Sequence, residues 1–356
     1  MIIRNTVSAL LLIVIMGITA QADTVELNPN HPDRYVVVKG DTLWDISARF
    51  LRDPWKWPDV WELNPQIKNP NLIYPGDVIS LVFRNGKPVL QVQRGPTTKP
   101  TESTESNVVK LEPHVRVTTL ERPIPTLPTD AIQQFLLKSE VISPEESKNS
   151  GYIVSMEGER LIGGTGNKIY ARRVHQHPGG HFEVVRVGKV YRNPGASTDD
   201  ILGYEALHVA DARVDAYGDP STLTLTEASR EALVGDRIIP APDQAAINYN
   251  FLPRAPEHQV RGKIIALFDA VSRVGQYQVV VLNQGADAGL QPGHVLAVYH
   301  AGAQVRDIVA DEGEKVTLPD TRSGLLMVFK VFDKVSYGLI MTAQRDIRLY
   351  DMVRNP

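Results

Sequence analysis

Between Tyr35 and Val82 the order of breakers and apolar spacings fits one small folding unit. Val36-Val37-Val38 is a β-branched run and favours a strand. Lys39-Gly40-Asp41 breaks it, with Gly40 supplying a turn. Thr42 can cap a helix, and Asp45 stands three residues later in the spacing of a capping box. Leu43, Ile46 and Phe50 then repeat at i, i+3 and i+7, which gives one apolar helical face. A second short helix is predicted from Pro58, where a missing N–H costs nothing. Val60 and Leu63 point inward from it, and Asn64-Pro65 stops it. Pro75-Gly76 suits the centre of a type II turn, and Val78-Ile79-Ser80-Leu81 is the closing strand. The expectation is a small α+β domain, strand–helix–helix–strand, over residues 33–84.

This stretch resembles a LysM domain. Gly40-Asp41-Thr42-Leu43-Trp44-Asp45-Ile46, Asn64-Pro65 and Asn71-Leu72-Ile73-Tyr74-Pro75-Gly76-Asp77 stand in that family's order and spacing. The resemblance implies binding of the N-acetylglucosamine backbone of peptidoglycan or chitin, in a groove between the loop after the first strand and the loop before the second. Carried onto this chain, the peptidoglycan-binding residues are Gly40, Asp41, Thr42 and Leu43 from one loop. The other supplies Asn64, Pro65, Ile67, Asn71, Leu72 and Ile73. A neutral N-acetyl sugar needs backbone N–H and C=O groups and a small apolar patch for its methyl. Gly40 and Pro65 keep backbone accessible; Leu43, Ile67, Leu72 and Ile73 can form the patch, or simply be core. Trp44, Trp55, Trp57 and Trp61 could serve as sugar platforms, but in so small a domain burial is expected for at least two of them.

The first 22 residues have the layout of a signal peptide: Arg4, an apolar run from Val7 to Ile18, and Ala20-Gln21-Ala22 as a cleavage site. The run is short for a membrane span. With no cysteine, the chain has neither disulfides nor a lipidated N-terminal cysteine. A net charge of −3 gives no reason to expect nucleic acid. The expectation is an exported, periplasmic protein without a stable membrane span after processing. Residues 85–142 read as a linker. Arg94 to Asp130 holds Pro96, Pro100, Pro113, Pro123, Pro125 and Pro128 among many Thr, Ser and Glu, a composition that favours extended, unpacked chain. One short helix is predicted over Thr129–Val141, with Ile132, Phe135 and Leu136 on one face.

From Ser143 onward the signal is mainly β. Runs such as Tyr277–Val281 and Val295–Tyr299 alternate with turn clusters such as Pro178-Gly179-Gly180 and Gln291-Pro292-Gly293. A diverged repeat is visible. Leu207–Val214, Leu223–Thr226 and Val234-Gly235-Asp236-Arg237-Ile238 recur in order as Val328–Val335, Leu339–Thr342 and Leu349-Tyr350-Asp351-Met352-Val353. This predicts two related small β-domains, 143–241 and 258–356, parted near the proline-bearing stretch 241–257; a single larger β-domain is the alternative.

Wall-enzyme chemistry is hard to place on this sequence. Cysteine peptidases and transpeptidases need a thiolate, and no cysteine exists. Zinc endopeptidases need a His and an Asp ahead of a His-x-His pair; His175-Gln176-His177 with His181 lacks that context and reads as a hairpin loop. Transglycosylases surround a catalytic Glu with helices, which the β-rich half does not supply. Gly163-Gly164-Thr165-Gly166 lacks the Lys-Ser/Thr of a phosphate loop and reads as a hairpin turn. No metal and no cofactor are expected. In domain order the chain is similar to the LysM proteins associated with type IV pilus secretins (TsaP-like), whose C-terminal region resembles that of the flagellar protein FlgT. That resemblance implies a non-enzymatic protein holding an outer-membrane secretin to peptidoglycan. A peptidoglycan hydrolase or hydrolase activator, and a general envelope spacer, are the other readings.

Overall fold

A computed structural model of the chain describes residues 25–61, 73–94, 124–241, 251–268, 270, 272–307 and 314–356. In the N-terminal module, β1 (Arg34–Val36) is followed by α1 (Leu43–Phe50), α2 (Trp57–Trp61), β2 (Val78–Arg84) and β3 (Lys87–Gln93). Thr42 caps α1: its hydroxyl accepts the Asp45 N–H at 3.1 Å and donates to the Asp45 carboxylate at 2.7 Å. Leu43, Ile46 and Phe50 are buried with Trp57, Val60 and Trp61 in the module's core. Two boundaries differ from expectation. The first strand ends at Val36, because the Val37 N–H turns to the Asp77 carbonyl at 2.8 Å. The second helix starts at Trp57, because a 3₁₀ turn over Pro54–Lys56 delivers it already in helical φ/ψ.

The linker expectation fails at its start. Residues 87–93 form β3, which pairs with all of β2 from Arg84↔Lys87 to Val78↔Gln93. The turn is Asn85-Gly86, both at positive φ (51° and 76°), the conformation that a two-residue hairpin demands. Leu90 and Val92 join the core, so β3 completes an antiparallel sheet ordered β1-β2-β3.

The linker's tail is also packed. Helix α3 (Thr129–Lys138) buries Ile132, Phe135 and Leu136, the face read from the sequence. It ends at Lys138 rather than Val141, because β4 (Ser139–Ile142) leaves to pair with a long strand of the next sheet. After α4 (Pro144–Asn149) come β5 (Gly151–Met156), β6 (Ile162–Gly163), β7 (Lys168–Arg172), β8 (His181–Arg192), β9 (Ile201–Ala216), β10 (Ser221–Ala228), β11 (Ala232–Leu233) and β12 (Arg237–Pro240). The order β10-β7-β5-β12-β8-β9, with a β10–β9 pairing, closes a ring of strands, and β4 adds at β9.

A second barrel repeats the first. Its strands are β13 (Arg261–Leu267), β14 (Arg273–Val274), β15 (Val279–Leu282), β16 (Val295–His300), β19 (Thr321–Val331), β20 (Ser336–Ala343), β21 (Ile347–Arg348) and β22 (Met352–Arg354). An exposed hairpin of β17 (Gln304–Arg306) and β18 (Lys315–Thr317) is inserted after β16. The barrel closes in the order β13-β15-β20-β19-β16-β22, and β14 pairs with β21 as β6 pairs with β11. Its strands are apolar on both faces. Val280, Leu282, Leu296, Val298, Leu326 and Ile340 fill the interior. Alternate residues Val279, Val281, Val295, Ala297, Leu325 and Leu339 form the outer face, as a two-residue period requires. That outer face is covered by α3, by Tyr191 of the first barrel and by Trp44 of the module. Lys330 binds the α3 carbonyls of Phe135 and Leu136 at 3.4 and 3.3 Å.

One turn of this barrel is expected to be sensitive to acid. Buried His294 accepts the Gln291 N–H on Nδ1 at 3.2 Å. Burial first, and the Arg254 guanidinium second, push its pKa below the ordinary 6.5. The native state thus favours the neutral ring, so its contribution is intact above 6.5 and is lost as pH falls through the depressed value. Denaturant midpoints measured from pH 7 to pH 5 are expected to fall, and His294→Asn is expected to flatten that fall. An unchanged slope in the variant contradicts this.

Candidate functional site

The first groove loop, and the turn that follows the second, are fixed by local bonds. Gly40 sits at φ +99° with open space where a Cβ would be, so conformation alone selects glycine there. Asp41 accepts the Val38 N–H at 2.9 Å and the Tyr35 hydroxyl at 3.0 Å, pinning the loop to its own strand. Burial, then this bond, raises the Tyr35 phenol above its ordinary value. Thr42 is buried as the α1 cap. On the other side Gly76 stands at φ +93°, and buried Asp77 accepts the Tyr74 N–H at 3.0 Å. Reciprocal bonds of 2.8 Å, Val37 N–H to Asp77 and Gly76 N–H to Val37, lock this turn against the end of β1.

Two main-chain groups at the described ends of these loops matter: the Leu43 N–H at the first turn of α1, and the Ile73 C=O before β2. Both side chains are buried in the module core, 1% and 0% exposed, so these residues present backbone rather than a free apolar patch. Asn64, Pro65, Ile67, Asn71 and Leu72 lie outside the described residues. Of the four tryptophans, Trp44, Trp57 and Trp61 are buried; Trp57 and Trp61 meet edge to face at 6.3 Å. Trp44 belongs not to the module core but to the outer face of the second barrel, where half-buried Trp55 also packs. Polar contacts accompany that docking: the Tyr277 hydroxyl donates to Asp45, and Arg322 lies 3.5 Å from Asp53.

The histidine loop does not assemble into a metal group. His175 and His181 are exposed. His175 and His177 border a cavity of about 380 Å3 shared with Glu140, Arg173 and Phe182. A different set does converge: Glu183 on β8 with His208 and Asp211 on β9, whose donor atoms lie within 4.8 Å of one another. A His with two carboxylates is a donor set that zinc accepts. Here both ring nitrogens are already engaged, Nδ1 with the Ser229 hydroxyl at 3.0 Å and Nε2 with Asp211 at 3.2 Å. A cation would have to displace the Asp211 contact. Only His208-x-x-Asp211 hinted at this set locally; Glu183 arrives by strand pairing opposite Asp211.

Residues 35–82 match the LysM domain family, which indicates binding of peptidoglycan or related carbohydrate at this module. Two relatives share part of the chain. An endolysin of Bacillus phage B103 is 34% identical over 103 residues, covering 26% of this chain and 37% of the endolysin. The uncharacterized protein YqbP of Bacillus subtilis (strain 168) is 35% identical over 60 residues, covering 14% of this chain and 27% of YqbP. The chain therefore spans well under half the length of either relative. No described helix is long and apolar enough to cross a membrane.

Proposed function

We propose that this chain is a non-catalytic, exported tether. The module at 35–82 holds a glycan strand of peptidoglycan, and the β-rich remainder docks on an outer-membrane assembly, of the secretin type that serves type IV pili. The LysM match carries the first half of this reading. The second half is supported by the domain order and by the duplicated barrels. A single shallow groove binds weakly, and arraying several copies on a ring-shaped partner would raise the effective concentration of the modules. Two truncations in cells test the division of labour. A chain lacking 33–84 is expected to co-purify with the secretin but lose the wall. A chain lacking 143–356 is expected to keep the wall and lose the secretin. Capture of the secretin by the LysM fragment alone contradicts the proposal.

A hydrolase is the second reading, favoured by the likeness to an endolysin and by the Glu183–His208–Asp211 set. Muropeptides released from sacculi with added zinc, and lost in His208→Ala, would establish it over the tether.

A further inference from the structure

The chain places a piece of itself against the first groove loop and the last residue of the second. The Ile124 N–H donates to the Ile73 C=O at 2.8 Å, and the Pro125 C=O accepts the Leu43 N–H at 3.0 Å. One dipeptide thus bridges the main chain of the two loops. Ile124 is 4% exposed and packs into the module core with Val37, Leu43 and Ile73. Thr126 and Leu127 are buried just beyond it, and Leu127 joins Trp44 on the outer face of the second barrel. An N-acetyl group offers one N–H donor, one C=O acceptor and one methyl. Ile124-Pro125 offers one N–H, one C=O and one apolar branch, and Pro125 has no N–H of its own to leave unpaired.

We propose that residues 124–127 are an intramolecular plug of the glycan groove, so that glycan and plug compete for the Leu43 N–H and the Ile73 C=O. The proposal rests on the glycan reading above. It adds that wall binding and release of the module from the second barrel are one linked equilibrium. The linkage is physical. Leu43, whose N–H holds the plug, neighbours Trp44, which sits in the barrel's cluster, and Asp45, which accepts from Tyr277. The plug runs straight on through Leu127 into α3, which covers the same barrel face. The closed arrangement is also imperfect. The indole N–H groups of Trp44 and Trp55 are buried without a hydrogen-bond partner, and such groups favour a state in which water reaches them. A groove that is open only part of the time binds more weakly in proportion to its open fraction.

The experiment uses the chain from residue 23 onward, with N-acetylglucosamine hexamer as the probe. Ile124→Asp puts a charge where the module core expects an aliphatic branch. It is expected to tighten hexamer binding by about tenfold or more, because the competing plug is lost. In the unaltered chain, hydrogen exchange reads the same event without a mutation. The Ile124 amide, bonded to Ile73, is expected to lose protection when saturating hexamer is added. If hexamer binds both proteins equally and that amide stays protected in the complex, the plug is overturned while the glycan reading stands. If the variant, with native-like circular dichroism, binds neither hexamer nor sacculi, the glycan reading fails and takes the plug with it.

Discussion

Replacing Tyr337 with alanine is expected to cost about 3–5 kcal/mol of stability in the second barrel, the range for deleting a fully buried aromatic ring. Tyr337 is 0% exposed on β20, opposite Val281 of β15. Its ring meets those of Phe332 at 5.1 Å, Phe268 at 5.4 Å, Phe329 at 6.3 Å and Phe135 of α3 at 6.5 Å, all at steep angles. Its hydroxyl donates to the Glu140 carbonyl of β4 at 3.4 Å, and Tyr191 of the first barrel is buried in the same cluster. One side chain thus joins the second barrel, the first barrel, α3 and β4. Tyr337→Phe keeps the ring and drops only the hydroxyl's bond, for a loss of about 1 kcal/mol. Urea unfolding followed by circular dichroism measures both. An alanine variant within 1 kcal/mol of the phenylalanine variant would show that the aromatic cluster is not what holds these elements together.

What the sequence discloses follows the range of the interactions involved. Helix α1 was legible because its cap, Thr42 to Asp45, and its apolar spacing all lie within nine residues. The face of α3 was legible for the same reason. The hairpin into β3 was equally local: Asn85-Gly86 is the strongest two-residue turn signal in the chain. The proline- and threonine-rich composition that follows outweighs that signal when the stretch is read by composition. The barrel repeat was visible only as an order of strands. Closure depends on pairings such as β13 with β22, between residues some ninety positions apart, and no local spacing encodes them. For the candidate site, the loops around Gly40 and Gly76 were readable from their breakers. The plug was not. Ile124-Pro125 lies in a stretch whose composition argues against packing, and its partners are the main-chain atoms of Leu43 and Ile73, which carry no side-chain signature. Glu183 joins His208 and Asp211 only through the pairing of β8 with β9, so the set has no local signature beyond His208-x-x-Asp211.

The same turn is built three times among the described residues, and its removal from the first barrel is expected to cost nearly as much as the loss of Tyr337. Asp77, Asp236 and Asp351 are each buried, and each carboxylate accepts the N–H three residues back, from Tyr74, Leu233 and Arg348 at 3.0, 2.8 and 2.8 Å. The residue before each, Gly76, Gly235 or Tyr350, takes a left-handed φ of 93°, 94° or 71°. Each turn then clasps a neighbouring strand by a reciprocal pair of backbone bonds, to Val37, Ile153 and Ile264. What differs is the side chain that meets the carboxylate. Asp236 holds Arg186 through two bonds of 2.9 and 2.8 Å. Asp351 holds the half-exposed His300 at 2.7 Å, and Arg94 lies 3.7 Å from Asp77. Asp236→Ala strands the Leu233 N–H and leaves Arg186 only the Glu231 carbonyl, an expected loss of about 2–4 kcal/mol, below that of a fully buried pair because Arg186 is 34% exposed. Asp236→Asn keeps an acceptor for the N–H but not the charge, and about half of that loss is expected. Asp351→Ala should cost less than Asp236→Ala, because one contact to an imidazole is lost rather than two bonds to a guanidinium. Urea titrations of the three variants order these effects. Equal losses at Asp236 and Asp351 would mean that the N–H acceptor alone matters, and that the side chain meeting the carboxylate adds nothing.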